Sequence, residues 1–163
     1  NIELDPGMAF GTGSHPTTRL CLEWLERHVT AGCSVLDYGC GSGILAIAAA
    51  RLGAGSVAGV DIDPQAVEAA RANAERNGVA ALFADSAEPV AGEYDVVVAN
   101  ILSNPLRVLA PAICAHVRPG GRLALSGILR EQVDEIIAIY AQWIPLQVAD
   151  AREDWVCLSG IRP

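Results

Sequence analysis

The chain has 163 residues, the usual size of one domain, and a chain of that length buries roughly 68–70% of its unfolded surface without help from disulfides or metal. Hydrophobic residues make up 52% and charged residues 18%, which excludes intrinsic disorder, a collagen-like repeat and a low-complexity tail. The net charge of −8 disfavours sequence-independent attraction to phosphate backbones or anionic lipid and is compatible with a basic partner.

A lead-in over residues 1–16 opens into a helix at Pro16 to Thr18, and from there the rhythm is strand, helix, strand. A short apolar run from Ser34 to Asp37 is followed by an Ala-rich helix from Ile44 to Leu52 that stops at Gly53. Val57 to Asp61 is a second strand. Pro64 to Asn77 reads as a helix with Ala66, Val67, Ala70 and Ala74 on one face, closed by Gly78. Ala81 to Ala84 continues the series, and Asp95 to Ala99, nearly unbroken Val, has the character of a central strand buried on both faces. Helix Pro105 to His116 ends before Pro119-Gly120-Gly121, strand Arg122 to Ser126 follows, and helix Glu131 to Trp143 comes next. The last runs, Leu146 to Ala149 and Trp155 to Ser159, are separated only by Asp150 to Asp154. That connection permits a hairpin but no parallel crossover, so the terminal strand is expected to run antiparallel to its neighbours.

The longest apolar stretch, Ile44 to Ala50, is cut off at Arg51 and Gly53, well short of the ~20 residues a spanning helix requires. No basic-then-apolar leader precedes the folded pattern, so a soluble, cytoplasmic protein with no membrane contact is expected. Cys21, Cys33, Cys40, Cys114 and Cys157 are odd in number and contain no C-x-x-C pair. They read as small apolar residues rather than as disulfides or metal ligands, and no metal is expected.

Ligands of open α/β sheets collect at the carboxyl ends of the strands, so the site is expected just after Asp37, Asp61, Ala84 and Ala99. After the first strand the sequence reads Asp37-Tyr38-Gly39-Cys40-Gly41-Ser42-Gly43-Ile44. The alternating glycines let the backbone turn sharply and leave room for a ligand to lie against the main chain. Ile44 stands where a dinucleotide fingerprint wants Gly or Ala, which disfavours an NAD-dependent dehydrogenase, and no Gly-Lys-Ser/Thr phosphate loop is present. Asp37 beside the turn suits a cationic ligand group, an ammonium or a sulfonium. Asp61 ends the second strand, where an acid accepts both hydroxyls of a ribose. Asp63 before Pro64 reads as a helix cap.

The stretch from Asp37 to Gly43, with Asp61 following, resembles the S-adenosylmethionine site of Rossmann-like methyltransferases. Phe10-Gly11-Thr12-Gly13-Ser14-His15-Pro16-Thr17-Thr18 narrows the resemblance, together with Gly59 to Pro64, Asn73 to Gly78 and Val96 to Leu102. Over nearly the whole length the chain is similar to the PrmA family, whose members methylate amino groups of the large-subunit ribosomal protein numbered eleven. The resemblance implies an α/β fold, a mostly parallel seven-stranded sheet with a reversed C-terminal strand, and residues 1–163 as one S-adenosyl-L-methionine-dependent methyltransferase domain. It implies a basic ribosomal protein as substrate, S-adenosyl-L-homocysteine as product, no direct nucleic-acid binding, and a family N-terminal recognition domain lying outside these residues.

The same resemblance implies cofactor contacts from Phe10, as a lid, and from Thr18, Asp37, Gly39, Gly41, Asp61, Asp85 and Asn100. Asn100 is also the expected catalytic residue, orienting the acceptor amine over the reactive methyl. Methyltransferases acting on nucleobase nitrogen commonly carry Asn-Pro-Pro-Tyr there. Asn100-Ile101-Leu102-Ser103 lacks the stacking aromatic, which argues against a flipped base. His15 before a proline reads as structural. Same-fold methylation of another protein lysine or a small molecule, or cofactor binding without catalysis, are the remaining alternatives.

Overall fold

The computed structural model describes residues 15–85 and 91–163. Helix α1 (Pro16–His28) is capped by His15, whose Nδ1 accepts the Thr17 N–H at 3.2 Å, so this histidine closes a helix end. Then come β1 (Ser34–Tyr38), α2 (Ile44–Arg51), β2 (Ser56–Asp61), α3 (Pro64–Arg76), β3 (Leu82–Asp85) and β4 (Tyr94–Asn100). These bounds follow the hydrophobic pattern to within a residue or so. The cap read from Asp63-Pro64 is present, with Asp63 Oδ1 accepting the Gln65 N–H at 2.9 Å.

The second half departs from the pattern at its helices. The helix expected from Pro105 to His116 is two helices, α4 (Ser103–Val108) and α5 (Ala110–Ala115), broken at Leu109 with φ −91° and ψ 3°. Pro111 has no N–H to donate to the carbonyl of Arg107, four residues back, and its ring crowds that carbonyl. The start lies earlier than expected because Pro105 sits in the first turn, where no intrahelical donor is required. Strand β5 (Val117–Leu129) is longer than Arg122 to Ser126. Its register against β4 jumps from Tyr94↔Val117 to Val96↔Arg122, so Pro119-Gly120-Gly121 bulges out within the strand instead of preceding it. The helix expected from Glu131 to Trp143 is a 3-10 turn (Arg130–Gln132) followed by α6 (Val133–Tyr140), and the Tyr140 carbonyl accepts the Ile144 N–H just before Pro145. Strands β6 (Gln147–Arg152) and β7 (Trp155–Ile161) extend toward each other until only Glu153 and Asp154 separate them.

All these strands form one sheet in the order β3-β2-β1-β4-β5-β7-β6. β1 to β5 pair in parallel; β7 runs antiparallel to both β5 and β6, as the short last connection required. Alternate side chains of the central strands feed two cores. Val35, Val96 and Val98 pack with α1, α2 and α3, while Leu36, Val97 and Ala99 pack with α4, α5 and α6. The five cysteines are all buried free thiols distributed between those cores. Among the described residues no helix is long and apolar enough to cross a membrane.

Candidate functional site

Strand β1 lies between β2 and β4, so the chain reverses its direction of travel across the sheet there and opens a crevice at the carboxyl edge. The pairings Tyr38↔Val60, Tyr38↔Ala99 and Asp61↔Asp85 bring Asp37, Asp61, Asp85 and Asn100 to that one edge.

The glycine turn is held from β2. Gly39 and Cys40 both donate to the Val60 carbonyl, at 2.7 and 2.9 Å, and Gly41 donates to Asp61 Oδ2 at 2.9 Å. Gly39, Gly41 and Gly43 have φ values of 79°, 52° and 86°, a region that side-chain-bearing residues rarely occupy. At Gly39 space is limiting as well, because a Cβ would lie 2.5 Å from Ile101 Cγ2. Gly43 then caps α2, and the Asp37 carboxylate reaches the first turn of that helix, Oδ2 accepting the Ala46 N–H at 3.1 Å.

An open cleft of about 570 Å³ results, lined by Gly39, Gly41, Ser42, Asp61, Gln65, Asn100, Ile101 and Leu102 among others. Of the residues expected from sequence, Gly39, Gly41, Asp61 and Asn100 line it directly. Asp37 and Thr18 stand behind this wall: Asp37 is 1% exposed, and Thr18 is fully buried with its hydroxyl accepting Asn100 Nδ2 at 3.4 Å. Asp85 sits on β3 beside Asp61, outside the lining. Phe10 lies outside the described residues.

The electrostatics are uneven. Burial pushes the Asp37 carboxyl up to about 7, with the neighbouring Asp61 charge adding to the effect and the Ala46 N–H opposing it. Asp61 itself is tied to main chain on both oxygens, Oδ1 accepting the Asp63 N–H at 3.0 Å. Three buried polar atoms here have no hydrogen-bond partner: Asp37 Oδ1, Ser42 Oγ and Asn100 Oδ1. Such atoms are rare in native proteins and call for a ligand or water. Among the described residues no group of three or more His, Cys, Asp and Glu is placed to hold a metal ion.

Two contributors were not singled out from the sequence. Ser42 was visible inside the glycine turn, but nothing in residue order showed its hydroxyl buried. Asn73, 1% exposed on α3, donates Nδ2 to the Ser42 carbonyl at 3.0 Å and pins the turn from outside. The signal available for Asn73 was a polar residue next to the apolar stripe of that helix.

The model of one protein family, described as ribosomal protein L11 methyltransferase (PrmA), matches residues 1–163. The chain is 91% identical over 163 residues to the ribosomal protein L11 methyltransferase of Dechloromonas aromatica (strain RCB), covering all of this chain and 55% of that protein. It thus spans about half the length of the curated relatives it matches. A crystal structure of a ribosomal protein L11 methylase from Lactobacillus delbrueckii subsp. bulgaricus superposes with a TM-score of 0.87 at 37% identity, over 99% of this chain and 84% of that one. An RNA methyltransferase from Salinibacter ruber, crystallised in complex with S-adenosyl-L-homocysteine, superposes with a TM-score of 0.71 at 25% identity, over 91% and 94% of the two chains.

Proposed function

The chain belongs to the ribosomal protein L11 methyltransferase family, and from that premise we propose that it transfers methyl groups from S-adenosyl-L-methionine to amino groups of a basic ribosomal protein in the cytoplasm. The acceptors are lysine side chains, an N-terminal amine, or both. One observation carries the reading: unpartnered polar atoms of Ser42 and Asn100 belong to residues lining the glycine cleft, with that of Asp37 directly behind its wall.

The donor set fits this cofactor. Asp37, a buried carboxyl with a free oxygen, favours a cationic group such as an ammonium, and ionises fully only when one is near. Asp61, oriented by two backbone N–H groups, keeps lone pairs for a ribose diol. Gly39 and Gly41 let main chain approach the ligand, and the start of α1 at Thr18 favours a carboxylate. Asp85 and Phe10 complete the proposed set, on the strength of the family resemblance.

When bound, the cofactor supplies a methyl group activated on a sulfonium. The protein's task is alignment and desolvation of the acceptor amine, which is overwhelmingly protonated at neutral pH with a reference pKa of ~10.4. Removal from water pushes that value down. The Asn100 Oδ1 and the carbonyls following β4 then accept the amine N–H bonds, pointing its lone pair along the transfer direction while water carries off the proton. The residues after Asn100 are Ile101, Leu102 and Ser103, with no aromatic to stack a base, which supports a protein amine over a nucleobase. Recognition of the acceptor protein is assigned to the part of the relatives' length that this chain does not span.

The test is incubation of the longer protein with methyl-labelled S-adenosyl-L-methionine and total ribosomal protein. Label in one large-subunit protein, on amino groups, is the expected result. Label in RNA, or tight cofactor binding with no transfer to any acceptor, would overturn it.

A further inference from the structure

At the opposite edge of the sheet, the amino ends of β1 and β4 are clasped together. Ser34 N–H donates to Asp95 Oδ2 at 2.8 Å, and Asp95 N–H donates to Ser34 Oγ at 2.9 Å. Beside this clasp a second cleft, of about 350 Å³, is lined by His28 at the end of α1, Thr30 and Gly32 in the turn that follows, and Asp95, Arg118 and Arg122.

The charges around it do not cancel. Asp95 is occupied by Arg118, whose Nε donates to Oδ1, so that pair is neutral. Arg122 is half-buried and forms no hydrogen bond or ion pair among the described residues; Arg27, one residue before His28, forms none either. The remaining arginines each bond to a carboxylate, a carbonyl or an amide oxygen. On a chain of net charge −8 one unpaired guanidinium, that of Arg122, therefore lines this cleft, while Arg27 stands exposed outside it. His28, packed at a tilt against Trp24 with ring centroids 4.5 Å apart, registers the field: burial, then Arg122, then Arg27, hold its imidazole below the ordinary value. A half-buried guanidinium without a partner forgoes charge-assisted hydrogen bonds, and its planar fork matches an oxyanion.

We propose that this amino-edge cleft binds a phosphate group, gripped by Arg122 with His28 beside it, at the end of the sheet opposite the glycine cleft. The ligand class is a phosphoryl or phosphodiester anion. The site is independent of the reading given above for the carboxyl-edge cleft.

The experiment follows the imidazole titrations of the whole protein by NMR, in phosphate and in chloride at matched ionic strength, with His15 and His116 as internal references. An anion beside His28 stabilises its charged form, so phosphate is expected to raise the His28 pKa by about half a pH unit or more. Arg122→Gln is expected to raise the His28 value in chloride and to abolish the response to phosphate. Arg122→Lys, which keeps the charge but loses the fork, is expected to weaken phosphate several-fold. A short single-stranded RNA lacking terminal phosphates separates the sources. If it reproduces the phosphate response, the ligand is a nucleic-acid backbone; if only inorganic phosphate acts, the ligand is a small phosphate. Equal responses in phosphate and chloride, or an undiminished response in both variants, would overturn the proposal.

Discussion

Asp37, Asp61 and Asn100 lie within one crevice yet have different chemical duties, because their surroundings differ. Asp61 is half-exposed and held by main chain, so its loss removes the tether of Gly41 together with the proposed ribose contact. Asp61→Ala is expected to weaken S-adenosyl-L-methionine binding at least ~10-fold by calorimetry, the scale of a lost charge-assisted hydrogen bond. Asn100→Ala is expected to behave oppositely, with turnover falling ~10²-fold while cofactor affinity changes little, as for the loss of a preorganised group acting at the reacting centre. Equal loss of both quantities would make Asn100 a cofactor contact alone. Asp37 carries the pH dependence. Its folded-state value of about 7 lies above the ordinary carboxylate range, so between roughly pH 4 and pH 7 the folded chain holds a proton that the unfolded chain has released. Stability of the ligand-free protein should therefore decline as pH rises through that window, and Asp37→Asn should flatten the decline in denaturant titrations. Cofactor affinity should rise over the same interval, since ionised Asp37 is the form that holds a cation.

Whole elements were legible where periodicity and punctuation agreed, as in α3 between Asp63-Pro64 and Gly78. They were misjudged where a single residue overrode the pattern, as Pro111 does in dividing α4 from α5. The β6–β7 hairpin shows a similar local conflict: Glu153 adopts a φ of 56°, which a side chain disfavours. Replacing it with glycine removes that cost but adds backbone entropy to the unfolded chain. The expected balance is a gain of about 0.5–1 kcal/mol, read from the denaturation midpoint. Helix α3 also supports the glycine turn through a polar contact, from Asn73 beside its apolar stripe. Asn73→Ala leaves the Ser42 carbonyl unpaired in a buried setting, and is expected to cost about 1–3 kcal/mol and to lower cofactor affinity with it.

Across the whole molecule the sheet separates two clefts, the one proposed for methyl transfer at the carboxyl edge and the one proposed for phosphate at the amino edge. The chain's charge of −8 is of the sign that attracts the basic acceptor protein proposed above. Attraction of this long-range kind is screened by salt, so KM for the acceptor is expected to climb with ionic strength while cofactor affinity stays nearly constant.

The alternation of apolar runs and helices, the glycine turn, the acid ending β2 and the hairpin imposed by the short last connection are all local features. Neighbouring residues determine them through steric and hydrogen-bond preferences, and the sequence alone therefore sufficed for the α/β class and for Gly39, Gly41, Asp61 and Asn100 among the residues lining the cleft. The strand order and the burial of Thr18 against Asn100, 82 residues away, are contacts between distant segments. So are the support of Ser42 by Asn73 and the meeting of His28 with Arg122. Only folding brings such groups together, because which distant faces meet is set by burial of the whole sheet rather than by any residue's own preference.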